Sequence, residues 1–289
     1  PGHIYSKLKR YHDSAWQQEA SARVDHAHMM RDRVLPDQIH NFAHNNEWLT
    51  RNLNHLGRAN DAVSLARNMI ELPRHPKNNT LAKPGKPSEY GKRGSARYGR
   101  MRLIDTLLRY EMWDEIISSS LTVYLEPTTI PEEQAKRLAA VGTAHYALGQ
   151  AEKGAGVLAK LDELKERLED MKLEAETKAG EDALAAEKND KETKKAKADA
   201  TKPFEGRIKT VNQYRAELLA YQAALDDDDD EFKKQIAKAG KLSREYKSQL
   251  YLKVGNKEEA EKLASQSARP GAQVQPLANY VDILWRSGK

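Results

Sequence analysis

The chain has no cysteine and only three phenylalanines among its 289 residues. The first absence removes disulfides, thiolate metal sites and cysteine nucleophiles at once, and leaves the compartment open. The second, with a hydrophobic content of 39%, leaves too little apolar bulk for one thick core. A thin stack of layers, each burying its neighbours' faces, suits this composition better. No apolar run approaches the ~20 residues of a membrane helix, and no signal-peptide hydrophobic region occurs. No segment alternates apolar and polar residues for long, so strands are not expected. There is no phosphate-binding glycine loop; Pro84-Gly-Lys-Pro87 is too short and lacks the flanking strand and Ser/Thr. Nor is there a serine–histidine–aspartate ordering, or an aromatic and basic platform for RNA. A dominant charge is missing as well. Lys+Arg number 48 and Asp+Glu 43, and the net +5 is spread over a large surface, too weak to argue nucleic acid. The start at Pro1-Gly2, in mid-motif, reads as an excised piece, with a targeting segment or a domain expected upstream.

What is present is helix, punctuated at regular places. Ala144-His-Tyr-Ala-Leu-Gly-Gln-Ala-Glu-Lys-Gly154 ends an apolar helix at Leu148-Gly149, turns, and restarts with small and apolar residues. Gly149 suits a helix C-terminus because it enters the left-handed region without a Cβ clash. Four other stretches read the same way: Leu8–Ala15, Leu56–Ala62, Leu108–Ile116 and Val254–Ala260. In each, a small or apolar residue follows five positions after the turn glycine or its stand-in, where two helices must approach closely. The pairs are Gly57/Ala62, Gly149/Gly154, Gly255/Ala260, Lys9/Ser14 and Glu111/Ile116. Recurrence of this kind marks a helical-hairpin repeat.

On these residues the chain resembles the tetratricopeptide-repeat (TPR) superfamily, over roughly residues 1–160 and 243–289. Its opening Pro1-Gly-His-Ile-Tyr-Ser-Lys-Leu8 is similar to a group of bacterial TPR proteins whose repeats carry a Pro-x-His-Ile-Tyr helix. The resemblance implies an all-α fold, a TPR-like α-solenoid of helical hairpins, and binding of a protein or peptide rather than catalysis.

In chain order, a helix through residues 3–9 is expected to pair with one over Asp13–Arg31. Pro36-Asp37 starts the next, with an apolar stripe of Ile39, Phe42, Ala43, Trp48, Leu49, Leu53 and Leu56. Ala62–Ile70 answers it. Arg74–Gly99 is a proline- and glycine-rich basic loop, either a solvated connection or a clamp over an acidic partner. A third hairpin spans Arg100–Leu125, with Trp113 at its turn. The fourth begins at Pro131, and its second helix continues along Leu158, Leu161, Leu164, Leu168 and Met171, at coiled-coil spacing. Thr201-Lys-Pro203 is expected to break it. A return seam runs Ile208, Val211, Tyr214, Leu218, Tyr221, Leu225, Phe232, Ile236 and Ala239. Counting outward from Lys202 pairs Leu218 with Ala186 and Leu225 with Ala179. Residues 161–242 are thus expected to form an inserted antiparallel coiled-coil arm, a charged linker being the alternative. Repeats resume over 243–289 and end in a helix Pro276–Trp285.

Four places invite a functional reading. The first helix of each TPR hairpin lines the concave surface, which here comprises His3, Ser6, His44, Glu47, Arg51, Asn54, Met101, Asp105, Leu108 and Thr143. The mixture suits a peptide: Arg51 for a carboxylate, Asp105 for a cation, Asn54 for a backbone amide. Plain solvated helix faces are the bland alternative. Second, His40, His44 and Glu47 stand at i, i+4, i+7, so a divalent metal is conceivable there, joined by His3. Hydrogen-bonded histidines lining a groove are the competing reading; in the group that the chain resembles, histidines recur on these faces. Third, Asp226–Asp230 lacks the spacing and glycine of a calcium loop and reads as opening or interrupting a helix. A basic Lys83–Arg100 surface for acidic polymers is the weakest reading. The expectation is a non-enzymatic scaffold for a protein or peptide, with no cofactor.

Overall fold

A computed structural model describes residues 1–75, 94–270 and 272–289. The fold is all-α: 81% of the described residues are helical, and none of them lies in a strand. Residues 76–93, and with them most of the expected basic loop, lie outside the described residues. The chain divides into two compact units, Pro1–Ile130 with Gly255–Lys289, and Pro131–Val254.

The first unit holds α1 (Gly2–Lys7), α2 (Tyr11–Asp32), α3 (His40–His55), α4 (Ala59–Glu71), α5 (Ser95–Arg109) and α6 (Trp113–Ser120). Pro36 opens a short 3₁₀ turn rather than α3 itself. The five turn positions share one backbone solution. Lys9, Gly57, Glu111, Gly149 and Gly255 all have φ between 53° and 77°. At the α3 end, the Gly57 N–H donates to Asn54 O (3.3 Å) and the Arg58 N–H to Leu53 O (2.9 Å). That pair of bonds satisfies carbonyls a helix end would leave orphaned. The residue five positions on, Ser14, Ala62, Ile116, Gly154 or Ala260, is buried in every case. Ser14 uses its hydroxyl there, donating to Gly2 O at 2.8 Å. Between α4 and α5 the approach is so close that a Cβ on Gly99 would lie 2.7 Å from Ala66 O. The Asp37 carboxylate accepts from both His75 N (3.0 Å) and Ser95 N (3.2 Å), tying together the two ends of the segment that links α4 to α5.

The second unit holds α7 (Pro131–Ala147), α8 (Ala151–Ala185), α9 (Asp190–Leu225), α10 (Asp229–Lys238) and α11 (Arg244–Lys253). As the leucine spacing requires, the second helix of the fourth hairpin does not stop: α8 is 35 residues long. It pairs antiparallel with α9. Asp162 bonds Arg215, Lys172 lies 3.9 Å from Glu205, and Gly180 faces Lys197, the numbers rising on one helix as they fall on the other.

The turn, however, is not at Thr201-Lys-Pro203. It lies at Glu187 (φ 50°), and α9 runs through Pro203. The deciding local interaction is a reciprocal cap: the Asn189 carboxamide oxygen accepts from Glu192 N (3.0 Å), and the Asn189 N–H donates to the Glu192 carboxylate (3.2 Å). Such a cap starts a helix firmly, whereas an interior proline removes one backbone bond, a cost of roughly 3 kcal/mol that packing along a long helix offsets. The expected pairing of Leu218 with Ala186 therefore does not occur. Leu218 packs on α7, where a Cβ on Gly142 would meet it at 2.6 Å. Nor is the return seam one helix. It breaks at Asp227 (φ 54°), and Asp228 caps α10 by accepting from Glu231 N at 3.0 Å. The aspartate run thus interrupts one helix and opens the next, Asp226 ending α9 and Asp229 and Asp230 lying in the first turn of α10, and Phe232, five positions past Asp227, is buried.

The first unit is completed by α12 (Lys257–Ser267) and α13 (Val274–Ser287). Gln273, which precedes α13, accepts from Arg109 Nη1 (3.0 Å), and Gln275 Nε2 donates to Arg109 O (2.6 Å).

Candidate functional site

The helix α3 displays its residues at 3.6 per turn, so His40, His44, Glu47, Arg51 and Asn54 rise along one side of it. In the structure that side divides into two networks, both within the first unit.

The lower network is aromatic. His3 of α1 and His44 of α3 approach through their Nε2 atoms at 3.2 Å. His3 and Trp48 meet edge to face, with ring centres 4.2 Å apart, and the Arg51 guanidinium lies 4.2 Å from the centre of that indole. A cation over an indole face is held by the ring quadrupole while its donors stay available. Among the described residues no carboxylate pairs with Arg51. Trp48, assigned by its spacing to the apolar stripe, is therefore half-buried on this face. Its position one turn after His44 was a usable signal.

The upper network is ionic. The buried Glu47 carboxylate bonds Arg102 of α5, which also donates to Asp105 at 2.9 Å. The amide of buried Asn54 donates to the Thr106 hydroxyl (2.8 Å), and the Tyr110 hydroxyl donates to Asn54 O (2.8 Å). Glu47 and Asn54 thus cross-link α3 to α5 and are not open to a ligand. His55, one residue further, stacks on Tyr11 with centres 4.3 Å apart. Burial pushes its pKa down, aided by the charges of Arg109, Arg51 and Arg102, although a bond to Gln273 opposes this. It is a neutral ring at neutral pH.

Of the ten residues expected on the concave surface, His3, Ser6, His44, Arg51, Met101, Asp105 and Leu108 are partly exposed on α1, α3 and α5. Thr143 lies on α7 in the second unit and is buried, its hydroxyl without a partner. Arg102 was missed because its role depends on a carboxylate 55 positions away, which no local spacing reveals. The expected ligand trio is not assembled. His40 and His44 have ring centres 5.6 Å apart, while Glu47 is turned to Arg102. Among the described residues no group of three or more acidic or histidine side chains is placed to hold a metal.

The basic surface Lys83–Arg100 falls largely outside the described residues, and Arg100 at its end is bonded to Glu126. Among the described residues no helix is long and apolar enough to cross a membrane. Compared with known protein families, with curated proteins and with solved structures, the chain matches none.

Proposed function

We propose that this chain is a non-enzymatic scaffold, a TPR-like α-solenoid that binds a protein or peptide segment on the face of α1, α3 and α5. In this reading α8 and α9 form an antiparallel coiled-coil arm that offers a second contact. The observation that carries the reading is the repeated turn: a left-handed residue followed, five positions on, by a buried residue at a close helix approach. Helical-hairpin repeats of that kind bind partners through the first helix of each pair. The ligand chemistry follows from Arg51. A guanidinium stacked on Trp48 and lacking a carboxylate of its own takes a peptide carboxylate by two parallel charge-assisted bonds. Asp105, on the next hairpin, gives the same face an acidic group.

Selection of a random peptide library on tag-free protein in chelator-containing buffer tests this. Enrichment of peptides carrying an acidic side chain or a free C-terminal carboxylate is expected, with at least tenfold weaker binding to Arg51→Ala of unchanged melting temperature. No enrichment above background, or full binding by Arg51→Ala, would overturn the reading.

A further inference from the structure

The scaffold reading makes no use of one polar contact on that face, the 3.2 Å approach of His3 Nε2 to His44 Nε2. Two neutral imidazoles at this distance share one proton. The same distance is also the span between two nitrogen ligands of one cation. With metal–nitrogen bonds of about 2.05 Å, a separation of 3.2 Å subtends about 103° at the metal, near the tetrahedral value.

The placement of the rings offers a separate check. Two imidazoles aimed at a shared metal at that bond length would have centres about 5.0 Å apart. A straight N–H···N bond between them would set the centres at about 5.5 Å. The observed separation is 5.1 Å, with the ring planes inclined at 44°. The separation is shorter than a straight hydrogen bond would set and close to the value for two ligands of one metal.

We propose that His3 and His44 form a binding site for a divalent cation of the zinc or copper(II) class, each contributing Nε2. Neutral imidazole suits these ions, and carboxylates are not required. The site is smaller than the set His3, His40, His44 and Glu47 that the sequence suggested: Glu47 is excluded by Arg102, and the two rings in contact are those of His3 on α1 and His44 on α3. His40, exposed one turn before His44, is the nearest further imidazole, and water completes the coordination. Bound metal would cross-link α1 to α3, adding its binding free energy to the stability of the first unit. Trp48, with its ring centre 4.2 Å from that of His3 and 6.3 Å from that of His44, would report a bound copper(II) ion by loss of its fluorescence.

Tag-free protein is titrated with zinc by calorimetry and with copper(II) by tryptophan fluorescence. One equivalent is expected to bind. His3→Gln and His44→Gln should each weaken binding tenfold or more, while His12→Gln, at an exposed position on α2, leaves it unchanged. Electron paramagnetic resonance of the copper-loaded wild-type protein should count at least two imidazole nitrogens, a result that does not depend on any variant folding. Absence of stoichiometric binding, affinity retained in either variant, or a single coordinated nitrogen would overturn the proposal. The peptide selection runs in chelator, so either reading can fail without the other.

Discussion

Two glycines in α8 stand two positions apart and differ in one respect. A Cβ on Gly154 would lie 2.5 Å from the Tyr146 ring of α7, whereas one on Gly156 meets nothing within 4 Å. Alanine at either site gains about 0.5–1 kcal/mol of helix propensity by removing backbone freedom from the unfolded chain. At Gly156 that gain is the whole effect. At Gly154 the ring must withdraw by about 1 Å, and Tyr146 is fully buried, so an overpacking cost of about 2–3 kcal/mol applies. Gly154→Ala should therefore lose about 1–2 kcal/mol, and the two variants should differ by about 2–3 kcal/mol, roughly 10 °C in melting temperature. The four tryptophans, Trp16, Trp48, Trp113 and Trp285, all lie in the first unit. Circular dichroism compared with tryptophan fluorescence thus separates the units: the shift should appear in the helical signal and leave the fluorescence transition in place. Equal melting of Gly154→Ala and Gly156→Ala would show that the residue five positions after the turn is not held at a close approach, and the reasoning behind the repeated motif would fail.

Two further outcomes are expected in the second unit. Glu217 is buried on α9, and desolvation pushes its pKa up to about 8 against the opposing charges of Lys247 and Lys136. Its folded pKa lies above the unfolded 4.5, so its contribution is most favourable below that value and is lost as pH rises toward 8, by at most about 1.4 kcal/mol per pH unit. Glu217→Gln should flatten the fall in melting temperature between pH 5 and 8 and raise stability at pH 8; an unaltered pH profile would refute it. Leu218 is fully buried against Gly142 while Leu184 is 80% exposed, so Leu218→Asp should cost several kcal/mol and Leu184→Asp about 0.5 kcal/mol or less in urea titrations. Similar losses from the two would mean that Leu218 does not seal the α7–α9 contact.

The sequence by itself determined the helical class, the five turns and the residues buried behind them. These are local matters. A left-handed position, a cap and a small residue five positions on act within one turn of chain, and Lys9 and Glu111 could be found as stand-ins for glycine because the surrounding spacing was intact. The tip of the long hairpin was also written locally, in Asn189 and Glu192, but Pro203 outweighed it in the reading. Composition alone does not say that packing along a 36-residue helix offsets one lost backbone bond. The return helix broke at Asp227 without a glycine, where the aspartate run was legible as the opening or interruption of a helix but not as a left-handed turn. Only the tertiary structure decided the chemistry of the α3 face. Glu47, chosen as an open ligand by its spacing, is neutralised by Arg102, Trp48 leaves the core to support Arg51, and His3 is set against His44. Each of those pairings joins residues 41 to 55 positions apart or turns on which side of α3 is covered. Helical periodicity states that residues share a face; it does not state what lies opposite.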